Sequence, residues 1–423
     1  MDPTAGFKSK AIRGFLAGVR VLLFAAASQI LLSSGLVASD GDWWKGIPWD
    51  SGVLVDDAEG RWVQSLQVGG YAHFQSAFVD GSSGGRDFWY GRDADWRRVR
   101  ATVKGRALGA VDFLAHLNMV EDEGRIGGGV EVDYFSIFQA WTELDLLKLV
   151  DLPGVESMSV AYGKRKLIEL NEEVDTSINA ILTVERSALA NQVAPFRAGT
   201  GITGAWIKGG RAKDQFSLGL FTTDTSAEFG NWDDGTVLVS GWRHDFSECW
   251  GMDEATVALG AAWQDVEGRE ERYSVWEWVV TPWMRLADDR WGLRMSAALG
   301  SNEGPDSLSG GAFYGFGIMP FCWLIEGQLQ GVLRYEIMAS EAPRGVGMPS
   351  RYAREAGLPA NEGIPQLALG AGDFHESLYA GVVWTIIPKH MTMLFGAEWE
   401  RMKSRDQRIY EGLTAWFSTR LIF

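Results

Sequence analysis

The sequence predicts an all-β protein: a transmembrane antiparallel β-barrel of about 16 strands, with short periplasmic turns and long external loops. Three observations predict it. Apolar and polar residues alternate with period two in segment after segment, up to the last residue. The segments run to about 9–13 residues, the length of a tilted strand that crosses a bilayer. The connections between them are alternately long and short.

Residues 1–38 stand apart from this pattern. Lys8, Lys10, Arg13 and Arg20 give a basic start. An apolar run through Val21–Ala27 to Leu31-Leu32 follows, and small residues at Ser33-Ser34-Gly35 and Ala38-Ser39 precede Asp40. That order is expected of a secretory signal peptide cleaved near Ala38. Residues 39–63 then form a lead-in segment, and 64–423 form the barrel.

The strands are expected at 64–78, 96–107, 110–120, 132–146, 155–163, 200–209, 214–223 and 236–246 in the first half. They continue at 254–265, 275–287, 291–300, 311–321, 324–338, 376–387, 390–402 and 409–423. In the first, Leu66, Val68, Ala72, Phe74 and Phe78 alternate with Gln67, Tyr71, His73 and Gln75. In 391–401, Met391, Met393, Phe395, Ala397 and Trp399 oppose Thr392, Glu398 and Glu400. In the last, Leu413, Ala415, Phe417, Thr419 and Leu421 oppose Thr414, Trp416, Ser418 and Arg420. Each segment therefore has one face for lipid and one for a lumen. The uncharged run 307–325 is long enough for a transmembrane helix. Its Gly310, Gly311, Gly315, Gly317 and Pro320 favour a hairpin turning through Pro320 instead.

The expected long connections are 79–95, 121–131, 164–199, 224–235, 266–274, 301–310 and 339–375. The short ones include 108–109, 210–211, 288–290 and 388–389. Aromatics gather near strand ends, at Trp43-Trp44, Phe88-Trp89-Tyr90, Trp276, Trp278, Trp291 and Trp399, as interfacial girdles do.

Composition narrows the function classes. Of 423 residues, 55 are acidic and 39 basic, so the net charge of −16 argues against a nucleic-acid partner. Cys249 and Cys322 are too few for a disulfide framework, and they leave their own pairing open. The five His lack metal-ligand spacing, and no nucleophile-elbow, metalloprotease or phosphate-loop motif is present. Neither a cofactor nor catalysis is expected.

Two constellations carry charge. In the second strand Arg98, Arg100, Thr102, Lys104 and Arg106 share one face, against Val99, Ala101, Val103 and Gly105. Cations facing lipid are costly, so this face belongs in the lumen, where it would attract anions. The same Arg could instead pair with acids on neighbouring strands, such as Asp112, Glu143 or Asp145. The second constellation is the long connection 164–199. It opens with Lys164-Arg165-Lys166, runs through Glu169, Glu172, Glu173 and Asp175, and closes with Glu185-Arg186 and Arg197. Such a length without strand pattern is expected of a loop with a role of its own, either folded into the lumen as a constriction or projecting outward without entering the pore.

These segments resemble the phosphate-selective porin O and P family of Gram-negative outer membranes. The similar stretches are RRVRATVKGRALGAVDFLAHLNM, VAYGKRK, ILTVERSALANQVAPFRAGTGITGAW and GVVWTIIPKHMTMLFGAEWERM through the terminal LIF. The resemblance implies a sixteen-stranded, usually trimeric porin whose third external loop, here 164–199, constricts the pore. It implies lumen positions for Arg98, Arg100, Lys104 and Arg106. Lys164 and Arg186 would then lie at the constriction. The family's proline-containing turn reads GKRKLIEL here, and the loop is acidic. The resulting expectation is a porin for small hydrophilic solutes, general or mildly anion-preferring. Its pore-lining residues would be Arg98, Arg100, Lys104, Arg106, Lys164, Lys166, Arg186 and Arg197. Its partners would be membrane lipid and two further copies of the chain.

Overall fold

A computed structural model describes residues 52–83, 85–120, 134–195, 201–265, 272–303, 308–348 and 371–423. The signal segment and Arg197 lie outside the described residues. In chain order the strands are β1 (Val63–Ser83), β2 (Arg86–Ala107), β3 (Val111–Asn118), β4 (Ser136–Asp145), β5 (Ser157–Arg165), β6 (Ile202–Arg211), β7 (Asp214–Thr222) and β8 (Thr236–Asp245). They continue as β9 (Glu254–Gln264), β10 (Trp276–Asp288), β11 (Trp291–Asn302), β12 (Gly311–Ile325), β13 (Leu329–Ser340), β14 (Phe374–Ile387), β15 (Met391–Ser404) and β16 (Gln407–Ile422).

Each strand pairs antiparallel with the next. β16 returns to β1 in a ladder from Tyr410↔Ser83 to Ile422↔Tyr71, closing a barrel of 16 strands. Two backbone hydrogen bonds between Gly70 and Phe423 finish the seam. Beyond the last residue, the lead-in strand Val53–Asp56 takes over the same edge of β1. Closure removes every free edge, which is what a sheet in hydrocarbon requires.

The period-two pattern places the side chains as expected. Outward-facing Tyr162, Leu218, Leu238, Leu259, Leu299, Leu333 and Leu378 are exposed, while inward-facing Gln75, Arg334, Glu336, His375, Ser377, Glu398, Ser418 and Arg420 are buried. An apolar belt of this extent is a membrane surface rather than a soluble one. Tight turns cost little here. Leu108 and Gly109 take positive φ in the three-residue connection between Ala107 and Val111, and Arg405 and Asp406 do so in a two-residue hairpin between Ser404 and Gln407, whose twist matches the strands.

Three expectations are corrected. The first long connection is no loose loop. β1 and β2 run on as a ladder from Val79↔Tyr90 to Ser83↔Arg86, because backbone pairing continues where the apolar pattern stops. The hairpin after β12 turns at Glu326–Gln328, with Gly327 at positive φ, and not through Pro320. Pro320 stays in the strand, opposite Leu293 of β11, and the ladder to β13 omits Met319 and Pro320 without changing register. A residue without an N–H is tolerated where the sheet does not call on that donor. Finally, Trp276 does not belong to a girdle: it faces inward and is fully buried, while Trp278 and Trp291 are exposed as expected. Cys249 and Cys322 are both free and exposed.

Replacing outward-facing Leu299 of β11 with Arg should destabilise the inserted barrel by about 2–4 kcal/mol if it lies near the bilayer midplane. Denaturant unfolding from lipid vesicles measures this; an unchanged midpoint would mean that Leu299 does not face hydrocarbon.

Candidate functional site

The connection from β5 to β6 folds into the barrel. It leaves Arg165, makes a 3-10 turn at Ile168–Leu170, a short helix α1 (Glu172–Asp175) and a second helix α2 (Ala188–Val193). Asn171 caps α1 by accepting the Glu173 N–H, and the Ser187 hydroxyl oxygen caps α2 by accepting from Ala190 N–H. Two glycines of the wall make room for the loop. A Cβ on Gly260 would lie 2.2 Å from the Glu169 carbonyl oxygen, and one on Gly241 would lie 2.6 Å from the Glu169 side chain. The backbone therefore rests against the inside of β8 and β9.

The loop's acids meet arginines from around the wall. Arg165 pairs with Glu169 at 2.8 Å. Arg285 of β10 holds Glu172 at 2.8 Å and Asp175 at 2.9 Å, with Arg294 of β11 on Glu172 and Arg243 of β8 on Asp175. Arg334 of β13 bridges Glu173 and Glu398, each at 3.0 Å. Arg97 and Arg98 of β2 both hold Glu185. Arg420 of β16 donates to the carbonyls of Ile181 and Thr183, and His73 of β1 meets Asn179 at 2.7 Å. Apolar packing completes the seal: Leu167, Leu170, Val174, Leu189 and Val193 are buried against Trp206, Phe221, Trp276 and Phe313. The indole N–H groups of Trp276 and Trp283 donate to Val193 and Glu169 carbonyls.

Arg97 belongs to this set because of a bulge. His73 pairs with Arg98 and Phe74 with Trp96, so Arg97 is the extra residue and turns inward beside Arg98. Strict alternation would have sent it to lipid.

The expected basic residues part ways. Arg98 is drawn to Glu185. Arg100 donates to Asn118 and to the Tyr71 hydroxyl, both at 2.6 Å, and lies over the Phe138 ring. Arg106 forms a two-pronged pair with Asp112. Lys164 does not reach the lumen. It shares the outward phase with Tyr162, and the β7–β8 loop covers it, so that its ammonium donates to the carbonyls of Ser226, Ala227 and Glu228. Lys166 donates to Val174 O, and Arg186 to the carbonyls of Glu173 and Thr176.

Four of these residues gather at one place. Between the loop and β1–β4 lies a cavity of about 420 Å³, lined by Tyr71, Arg100, Lys104, His116, Lys166 and Arg186 among others. Among the described residues Asp175 is the one acidic side chain lining it, and that residue is already bound by Arg243 and Arg285. Burial pushes the Lys166 ammonium well below its ordinary range, and Arg186 beside it pushes the same way. Burial also brings Arg186 down, with Arg98 adding to the effect. A guanidinium stays protonated, so these shifts reflect two buried cations beside one another. A second cavity of about 490 Å³ lies across Ile168 and reaches the β4–β5 turn. Two ion pairs line it, Arg106 on Asp112 and Lys208 on Glu143 at 2.6 Å.

The sequence reading missed Arg97, Arg243, Arg285 and Arg294 as loop ligands. Arg334 and Arg420 carried the one available signal, since both stood on the polar phase of well-patterned strands.

No protein-family model and no curated protein matches the chain. Among solved structures it is similar to OprB of Pseudomonas putida, with a TM-score of 0.50 and 9% identity over 85% of this chain and 94% of that one. It is also similar to an anion-selective porin from Comamonas acidovorans, with a TM-score of 0.49 and 10% identity over 85% and 99%. At these identities the likeness is one of fold.

Two substitutions test the loop's attachment. Gly260→Ala should drive the wall into the Glu169 carbonyl and cost about 1–3 kcal/mol, as overpacking does. Arg334→Met, which leaves Glu173 and Glu398 buried without their partner, should cost about 3–5 kcal/mol. Lys213→Ala, at the exposed pair with Glu248, is the control and should leave the unfolding midpoint in place.

Proposed function

We propose that this chain is an outer-membrane pore for passive diffusion of small hydrophilic solutes, with a preference for anions. The observation that carries the reading is the cavity between the inner loop and β1–β4. There, Arg100, Lys104, Lys166 and Arg186 converge beside Asp175, itself bound by Arg243 and Arg285. A hydrated anion entering it exchanges water for guanidinium and ammonium donors at low dielectric, whereas a cation meets repulsion. The loop narrows the path, so size and charge are read at the same level. The phosphate preference implied by the resemblance falls within this reading, as do a cleaved signal at 1–38, a Gram-negative outer membrane and a homotrimer.

Lys104 is the cleanest handle. It is exposed in the lumen, lines the cavity, and carries no ion pair among the described residues. In planar bilayers under a salt gradient, the purified protein should show discrete steps with a reversal potential of anionic sign. Lys104→Glu should move that potential toward the cationic side while leaving insertion intact. An unmoved potential would remove the cavity from the selectivity role.

A second reading is favoured by the loop's own packing. Its acids are matched by wall arginines and its apolar residues form part of a continuous core, as in a plug. Correctly inserted protein without conductance steps would make the chain a sealed, structural barrel.

A further inference from the structure

The inner wall of β13–β15 is rich in acid. Glu336, Glu398 and Glu400 face inward there, and Glu173 of the loop closes over them. Arg334 serves Glu173 and Glu398. His375 of β14 stands between the other two: its Nδ1 lies 3.9 Å from Glu336 Oε1 and its Nε2 lies 3.6 Å from Glu400 Oε1. All three side chains are essentially fully buried. Both imidazole nitrogens and Glu336 Oε2 lack a hydrogen-bond partner among the described residues. Among the described residues Tyr379 of β14 and Tyr410 of β16 are further buried titratable groups on this part of the wall. Glu376 lies on the outward face, held by Arg401 and Tyr335.

An imidazole with a carboxylate at each nitrogen is satisfied when both nitrogens carry hydrogen. Without that extra proton the neutral ring has one N–H for two buried carboxylates, and the second carboxylate faces the ring lone pair, an arrangement that low dielectric makes costly. The same trio touches the loop, because Glu336 Oε1 accepts the Leu189 N–H at the start of α2, at 3.1 Å. We infer that Glu336, His375 and Glu400 form an internal proton site that latches α2, and the loop behind it, to the barrel wall. With the loop in place, these carboxylates are dry and the proton is held tightly. With the loop lifted they are hydrated, and it is held less tightly. The latched form therefore takes up the proton, is favoured at low pH and loosens as pH rises. This concerns the loop's attachment and holds whether or not the barrel conducts.

Hydrogen–deuterium exchange of the full-length protein in detergent, read by mass spectrometry at pH 6 and pH 9 and corrected for intrinsic rates, tests it. Protection of the segment 186–194 should fall about tenfold or more between the two, while segments of β10 keep theirs. Glu400→Gln, neutral and of the same shape, should flatten the difference. Should that variant not fold, Glu336→Gln, whose amide oxygen still accepts from Leu189, replaces it. Equal protection of 186–194 at both pH values in the unaltered protein would overturn the inference. So would a fall shared by β10, or a wild-type fall that persists in the neutral variants.

Discussion

The structure depends on charge compensation between the inner loop and the wall that surrounds it. Glu169, Glu172, Glu173, Asp175 and Glu185 would be intolerable inside a barrel if they were alone, and so would Arg97, Arg98, Arg243, Arg285, Arg294 and Arg334. Together they fix the loop. Because the arginines come from β2, β8, β10, β11 and β13, no single strand holds the loop, and its position is set by the closed barrel as a whole.

This compensation also shapes the electrostatics of the lumen. An acidic loop crossing a basic wall would, before pairing, be expected to set up a field across the opening. Pairing cancels most of it. Arg100 and Lys104 on β2 meet Lys166 and Arg186 of the loop beside Asp175, whose carboxylate is bound by Arg243 and Arg285. The acids Glu336, Glu398 and Glu400 lie on β13–β15, one strand beyond β1 across β16, and line neither the cavity at Arg100 nor the one at Ile168. Glycine has a matching role. Gly241 and Gly260 lie where the loop's backbone approaches, so that the ion pairs can form without the wall being pushed apart.

Much of the fold was legible in the sequence because a membrane imposes it. Lipid on one side and a polar lumen on the other force period two on every strand, and the sixteen expected segments coincide with the sixteen observed to within a few residues at most ends. Legibility failed where that force stops. Past the end of the apolar pattern the β1–β2 ladder continues with Asp80, Asp87 and Arg86, which read as loop. At Pro320 a breaker sits harmlessly at a position where the sheet needs no donor.

The sequence by itself determined which residues face inward, since alternation fixes the phase of each strand independently of its neighbours. It marked the basic face of β2 and the loop 164–199 for the same reason. Only the tertiary structure decided which charges meet, because Glu185 and Arg98 are far apart in the chain and are brought together by closure of the barrel. It also decided a reversal of phase, at the bulge that turns Arg97 inward, and it folded the β7–β8 loop over β5, where it binds Lys164 on the outward face. Alternation is a local property, whereas pairing across a lumen depends on the ring being closed.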